Sequence, residues 1–178
     1  MVESLSIGWI GTGIMGSPMA GHLISKGYKV TSVYNRTASK SDSLVARGAT
    51  FRSPDEIAKE CDVIFLMLGF PQDVEQMVLG KDDGILKHMK KGAYLVDHTT
   101  STPSLAERIA VEAASYGVHS VDAPVSGGDI GAKNGCLVTM VGGFSEDIEY
   151  LRPILSAYSV GVENMGNAGA GQHTKVAN

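Results

Sequence analysis

Three glycines near the start of the chain are spaced as in loops that bind the phosphates of a dinucleotide. Gly11, Gly13 and Gly16 form the pattern G-x-G-x-x-G, with an apolar run before it and an amphipathic run after it. Gly11 permits a tight turn, Gly13 lets backbone amides reach a pyrophosphate, and Gly16 lets a helix pack on a strand. In a chain with 22 glycines the pattern alone is weak, and a purely structural turn is the alternative. The flanking elements favour a dinucleotide site bordered by the backbone of Ile14 and Met15.

The end of the second predicted strand indicates which dinucleotide is preferred. An NAD site places an acidic residue about 20 positions after the glycines, where it binds the ribose 2′-hydroxyl. This chain has Asn35, Arg36 and Thr37 there. Arg36 can pair with a 2′-phosphate, Asn35 and Thr37 can hydrogen-bond it, and no carboxylate is expected nearby to repel it. The sequence predicts NADP(H), with NAD(H) possible; the alternative is that Arg36 is a solvated surface cation and Thr37 only a helix N-cap.

Two further strand ends are expected to line the ligand crevice. Met67, Leu68 and Gly69 end an apolar run and should flank the adenosine, because ligands of open α/β sheets bind at the carboxyl ends of strands. Residues 97–101 end the next strand, and the Thr100 hydroxyl is expected to reach the nicotinamide ribose. Helix capping is the alternative role for these hydroxyls.

Strand-like and helix-like runs alternate along the chain. Strands are predicted at residues 5–10, 29–34, 62–68, 93–97, 118–123, 136–141 and 161–165, and helices at 18–26, 38–47, from Pro54, and at 73–79, 101–116, 145–157 and 168–178. This pattern predicts a doubly wound α/β fold of the Rossmann type with a mostly parallel sheet. Residues 1–166 should form that domain. Residues 167–178 should begin an interdomain helix, and we expect a helical domain outside this sequence.

The composition excludes several functional classes. A formal net charge of −4 argues against a nucleic-acid or anionic-membrane partner. The apolar runs are too short to cross a bilayer, and the acidic start at Glu3 does not fit a signal peptide. Cys61 and Cys136 lie in apolar stretches and are expected to be buried and reduced, and no metal-ligand spacing is found. A cytoplasmic location is expected, with an organelle matrix as the alternative.

Four segments, taken in order, resemble the β-hydroxyacid dehydrogenases. They are residues 10–19, 97–103, 122–128 (DAPVSGG) and 169–178 (GAGQHTKVAN). This family includes 3-hydroxyisobutyrate dehydrogenase, tartronate semialdehyde reductase and the glyoxylate and succinic semialdehyde reductases. 6-Phosphogluconate dehydrogenase shares the Ser-Gly-Gly turn, but it carries a histidine where this chain has Ala177.

The resemblance implies roles for particular residues. Lys175 would be the general acid in reduction and the general base in oxidation, while Ser126, Gly127 and Gly128 would bind the carboxylate of a small substrate. Asn178 would also contact the substrate. It matches the asparagine preceding the one that the family places four residues after the lysine, which would fall at position 179, so the usual lysine–asparagine pair is incomplete here.

The resemblance also implies an NADP(H)-dependent oxidoreductase acting on a small β-hydroxyacid, semialdehyde or keto acid, and a homo-oligomer formed through the second domain. One alternative is a non-catalytic NADP-binding module or sensor, although such a module would need neither Lys175 nor the Ser126 turn. Another is an NAD-linked oxidiser of 3-hydroxyisobutyrate, which Asn35, Arg36 and Thr37 disfavour.

Overall fold

The computed structural model describes residues 4–178, so the start of the predicted domain and Glu3 lie outside the described residues. The strands are β1 (Ser6–Ile10), β2 (Lys29–Tyr34), β3 (Thr50–Phe51), β4 (Val63–Leu66), β5 (Tyr94–Asp97), β6 (His119–Asp122), β7 (Val125–Ser126), β8 (Leu137–Gly142) and β9 (Ser159–Gly166). The α-helices are α1 (Gly16–Ser25), α2 (Asp42–Val45), α3 (Pro54–Glu60), α4 (Pro71–Leu79), α5 (Pro103–Ser115), α6 (Gly128–Asn134), α7 (Ser145–Leu155) and α8 (Ala170–Ala177). Short 3₁₀ helices cover Ala38–Ser41 and Leu86–His88.

The described strands form one mostly parallel sheet. Its order is β3-β2-β1-β4-β5-β6-β8-β7, and β9 also pairs with β8. Strands β1 to β6 pair with one another in parallel, and β9 is parallel to β8, whereas β8 runs antiparallel to β6 and β7. The order reverses between β1 and β4, which is the topological switch point of a doubly wound sheet. The predicted fold class is confirmed.

Both faces of the sheet are buried, which explains why its central strands are apolar without alternation. In β4, Phe65 packs into the hydrophobic cluster on one face and Ile64 into the cluster on the other. Trp9 of β1 is fully buried and stacks on Phe65 with ring centroids 4.9 Å apart. This rigid sheet positions the loops at its carboxyl edge.

Most predicted elements are present within a few residues. The second strand has the predicted bounds, and α3 begins at Pro54 as predicted, after a capping box in which the Ser53 N–H donates to Glu56 Oε2 at 2.8 Å. The prediction of one α-helix over residues 38–47 is wrong. A 3₁₀ helix at Ala38–Ser41 precedes α2, which is a single α-helical turn of four residues. The short elements β3, β7 and α6 were not predicted, since two strand residues or seven helical residues give too little periodicity.

The two cysteines differ in exposure. Cys61 is buried as expected, and burial raises the pKa of its thiol. Cys136 is exposed, so the expectation that it is buried is wrong; it lies between the end of α6 and β8. Its Sγ donates to the carbonyl of Asn134 at 3.3 Å.

Among residues 4–178, none of the helices combines the length and apolar character that crossing a membrane requires. The same residues contain no group of three or more histidine, cysteine, aspartate or glutamate side chains arranged to hold a metal ion.

Candidate dinucleotide and catalytic site

The three glycines of the turn between β1 and α1 differ in how closely other atoms approach them. Gly11 has φ +99°, and a Cβ there would meet the carbonyl oxygen of Met67. A Cβ at Gly16 would meet the carbonyl oxygen of Gly11 and, at 2.8 Å, Nε1 of Trp9. A Cβ at Gly13 would meet no described atom within 4 Å. Gly11 and Gly16 are therefore needed for packing, whereas Gly13 leaves open space in front of the turn.

That open space belongs to a cavity of about 800 Å³ at the carboxyl edge of the sheet. This volume is in the range of small-molecule sites. Nearly all of the predicted cofactor residues line it: Gly11, Gly13, Ile14, Met15, Gly16, Asn35, Arg36, Thr37, Met67, Leu68 and Gly69. The sheet thus brings three separate strand ends, those of β1, β2 and β4, to one cavity.

The three residues after β2 play different parts in the structure. Asn35 Oδ1 accepts from the backbone N–H of Thr12 at 3.1 Å, and Asn35 Nδ2 donates to the carbonyl of Thr37 at 3.1 Å, so this amide braces the glycine turn. Thr37 is the N-cap of the Ala38–Ser41 turn but makes no side-chain cap bond. Arg36 has a side chain that is 79% exposed and lines the cavity.

One expectation about this region is wrong. A carboxylate does lie beside Arg36, because Asp73 Oδ1 is 3.5 Å from Arg36 Nη2. Asp73 belongs to α4, which follows β4, and it lines the same cavity as Asp55, Asp82 and Asp83. Asp73 was not predicted as a neighbour of Arg36, because it lies 37 positions after Arg36 in the sequence, on a different element. The available signal was Pro71 with an acid two residues later, which marks a first helical turn at the carboxyl edge of the sheet.

Thr100 is not among the residues that line this cavity. It is exposed after β5, between two residues that bond to α8. The N–H of Ser101 donates to Gln172 Oε1 at 2.8 Å, and Gln172 Nε2 donates to the carbonyl of Thr99 at 2.8 Å. Thr100 therefore lies on the α8 side of the crevice.

Buried polar groups anchor the start of helix α8. Asp122 Oδ1 accepts from the N–H of Gly169 at 2.7 Å, and its Oδ2 accepts from the N–H of Gln172 at 2.9 Å. These bonds satisfy donors that the first turn of a helix leaves free. Burial raises the pKa of Asp122, and the backbone bonds oppose that rise. Sequence reasoning assigned Asp122 only to a motif; its part in holding α8 appears in the structure alone.

The end of α8 reaches the Ser126 turn. Ser126 Oγ donates to Asn178 Oδ1 at 3.1 Å, and Lys175 is half-buried one helical turn before Asn178. Gly127 and Gly128 are exposed and have φ of +131° and +63°, so their backbone conformation suits glycine. The structure therefore gathers Ser126, Gly127, Gly128 and Asn178 at one place, with Lys175 on the adjoining helix.

His98 does not take part in this crevice. It is fully buried, with Nδ1 2.6 Å from the carbonyl oxygen of Ala123 and Nε2 2.7 Å from the Tyr158 hydroxyl. Burial lowers the pKa of His98 to about 4, so its ring is neutral at physiological pH. Its contacts are those of a core histidine.

Comparison with known proteins gives the family. The sequence model of the NAD-binding domain of 6-phosphogluconate dehydrogenase matches residues 6–166. The chain is 49% identical over 177 residues to a probable 3-hydroxyisobutyrate dehydrogenase-like protein of Arabidopsis thaliana, covering 99% of this chain and 52% of that protein.

Solved structures are similar as well. The structure of Mycobacterium tuberculosis 3-hydroxyisobutyrate dehydrogenase with L-serine has a TM-score of 0.90 and 31% identity, covering 98% of this chain and 58% of that one. The structure of Psf3 with NADP+ and 2-OPP has a TM-score of 0.91 and 29% identity, covering 97% of this chain and 61% of that one. The chain thus spans between 52% and 61% of the length of these three proteins.

Proposed function

The chain belongs to the family of the NAD-binding domain of 6-phosphogluconate dehydrogenase, among the β-hydroxyacid dehydrogenases, and on this premise we propose that it binds NADP(H) for hydride transfer to or from a small hydroxy or oxo acid. The observation that carries the proposal is the single cavity lined by the glycine turn and by the ends of β2 and β4. Nicotinamide-dinucleotide binding follows from family membership. The preference for NADP(H), the substrate class and the residue roles are the proposed part.

The cavity fits the cofactor at two points. Gly13 presents open space beside the N-terminus of α1, where backbone N–H groups and the helix dipole favour a pyrophosphate. Arg36 and Lys40 line the same cavity and supply cations that would bind the 2′-phosphate of NADP(H). The similar Psf3 structure is a complex with NADP+, which supports this preference, while NAD(H) remains the alternative cofactor.

We assign the proton step to Lys175. The bound cofactor supplies the hydride chemistry. In reduction, the Lys175 ammonium would donate a proton to the substrate oxygen as negative charge develops there, and in oxidation the neutral amine would accept it. Ser126 and the backbone of Gly127 and Gly128 would hold the substrate carboxylate beside this lysine. The Ser126–Asn178 hydrogen bond supports that arrangement, because it joins the turn to the helix that carries Lys175.

Further proposals concern the organisation of the protein. We place the boundary of the Rossmann domain at residue 166, where the family match ends, and assign residues 167–178 to the interdomain catalytic helix, of which α8 is part. A homo-oligomer and a cytoplasmic location are proposed. An organelle matrix is the alternative location, since the Arabidopsis relative is named as a mitochondrial protein.

A turnover assay separates the enzyme from a non-catalytic binding module. NADPH oxidation is followed with glyoxylate, succinic semialdehyde and tartronate semialdehyde, for the wild type and for Lys175→Met. We expect the substitution to lower kcat by about 10²- to 10⁴-fold, the usual contribution of a general acid, and to leave NADPH affinity unchanged. Retained turnover in Lys175→Met would remove the proton role of this lysine. A wild type that binds NADPH but converts none of the substrates would favour the binding module.

A further inference from the structure

The Arg36–Asp73 ion pair lies within the proposed cofactor cavity. Arg36 Nη2 and Asp73 Oδ1 are 3.5 Å apart, and both residues line the cavity with the glycine turn. The two residues come from different elements, the loop after β2 and the first turn of α4. Their pairing therefore depends on the arrangement of the sheet and would not be seen in either segment alone.

Asp73 is held more firmly than its partner. Its Oδ2 accepts from the backbone N–H of Phe70 at 3.1 Å, which caps the start of α4 next to Pro71. The other carboxylate oxygen, Oδ1, is the one near Arg36. The Asp73 side chain is 26% exposed, against 79% for Arg36. The carboxylate is thus tied to the start of α4, and the guanidinium is the more exposed member of the pair.

A 2′-phosphate would compete with this carboxylate for Arg36. An arginine binds phosphate through two parallel N–H···O bonds, and turning the fork toward the phosphate weakens its contact with Asp73. The phosphate would also bring negative charge close to Asp73, in a cavity that Asp55, Asp82 and Asp83 already make acidic. The neutral 2′-hydroxyl of NAD(H) meets neither cost.

We propose that Asp73 is a specificity-determining residue that competes with the 2′-phosphate for Arg36 and so reduces the preference for NADP(H) over NAD(H). This inference rests on the proposed function, because it requires a dinucleotide in the cavity. It predicts that the wild type prefers NADP(H) over NAD(H) less strongly than it would if Arg36 had no carboxylate beside it. Replacing Asp73 with a neutral residue should therefore increase this preference.

The test is Asp73→Asn, with NADPH and NADH titrated side by side against the wild type. The asparagine keeps an oxygen for the Phe70 N–H, so α4 should keep its cap, and an unchanged melting temperature checks this. We expect the NADPH dissociation constant to fall about three- to tenfold, the range of an exposed ion pair plus the removed repulsion, and the NADH constant to change less than about twofold. The gain should shrink at high salt, because exposed charges are screened.

Glu75→Gln is the matched control. Glu75 lies on the same helix and also pairs with an arginine, Arg108, at 2.5 Å, but it does not line the cavity. It should leave both constants unchanged, which separates a local effect of Asp73 from a general change in net charge.

The outcomes distinguish this inference from the proposed function. If the wild type binds NADPH and Arg36→Ala weakens that binding, but Asp73→Asn does not tighten it, Asp73 has no competing role and the inference fails alone. Equal tightening of NADPH and NADH also overturns it, because Asp73 would then act on the shared pyrophosphate. If the wild type binds neither dinucleotide, the proposed function fails and takes this inference with it.

Discussion

Replacing Gln172 with leucine tests how helix α8 is held on the sheet. Gln172 is fully buried, accepts from the Ser101 N–H and donates to the Thr99 carbonyl, with both bonds at 2.8 Å. Leucine has a similar size but offers neither group. Gln172→Leu should therefore leave a backbone donor and a backbone acceptor buried without these partners.

The expected loss follows from these two groups. Each buried polar group left without a partner costs about 1–3 kcal/mol, which gives about 2–6 kcal/mol for the pair. The leucine returns part of this through its own apolar burial. We therefore expect Gln172→Leu to lower the free energy of unfolding by about 1–5 kcal/mol.

Urea denaturation measures this change. The midpoint should fall while the slope of free energy against urea stays unchanged, because the surface exposed on unfolding is the same. The control is His173→Ala, at an exposed neighbour in the same helix, which should change stability by less than about 0.5 kcal/mol. A Gln172→Leu protein within about 0.5 kcal/mol of the wild type would refute the reasoning.

Gln172→Glu gives a second readout that packing does not explain. A carboxylate at this position could still accept from the Ser101 N–H, but it would face the carbonyl oxygen of Thr99 with no proton to donate. Protonation restores the donor. The destabilisation relative to the wild type should therefore be largest above neutral pH and should diminish as the pH falls toward the ordinary carboxyl pKa of about 4.

Three further predictions follow from the buried charge and the glycine turn. Burial raises the pKa of Asp97 to about 7, so between about pH 4 and pH 7 the folded protein keeps a proton on this carboxyl group that the unfolded chain releases. The free energy of unfolding of the wild type should therefore fall as the pH rises from about 4 to 7. Asp97→Asn should make this fall smaller, as measured by urea denaturation across that pH range. Gly16→Ala should lower stability by about 1–3 kcal/mol or more in thermal melts, because its methyl group would meet the Gly11 carbonyl and the Trp9 indole. Gly13→Ala should melt like the wild type yet bind NADPH more weakly, because its methyl group would enter only the open cavity; a loss of stability equal to that of Gly16→Ala would contradict this division of roles.

Local sequence patterns were sufficient to predict the longer strands of the sheet and the cavity residues that lie at the glycine turn and at the ends of β2 and β4. The buried strands on either side of the switch point are short apolar runs bounded by glycine or polar residues, and the glycine turn is contiguous in sequence. Arg36 was predicted as a cavity residue because its distance from the glycine turn is set by one βαβ unit. The elements that escaped prediction, such as β3 with two residues and α6 with seven, are shorter than the window of residues over which a periodic pattern can be recognised.

The remaining features of the site depend on contacts between distant segments. Arg36 follows β2 and Asp73 follows β4, and these two strands pair with opposite sides of β1. Asp73 therefore lies beside Arg36 because of the strand order, which neither local sequence reveals. Asp122 accepts hydrogen bonds from the N–H groups of Gly169 and Gln172, which lie 47 and 50 positions later in the sequence. The side-chain oxygen of Asn35 accepts from the backbone N–H of Thr12. Residue types in these positions predict hydrogen-bonding ability, but the choice of partner is made by the tertiary structure.

The central claim is that the cavity binds NADP(H) through the glycine turn and Arg36. It is tested most directly by titrating the wild type and Arg36→Ala with NADPH and with NADH, with Arg108→Ala as a control at an arginine outside the cavity. The account predicts tighter binding of NADPH than of NADH by the wild type, a loss of about tenfold or more in NADPH affinity in Arg36→Ala, and an unchanged NADH affinity. Equal affinity of the wild type for both dinucleotides, undisturbed by Arg36→Ala, would contradict it.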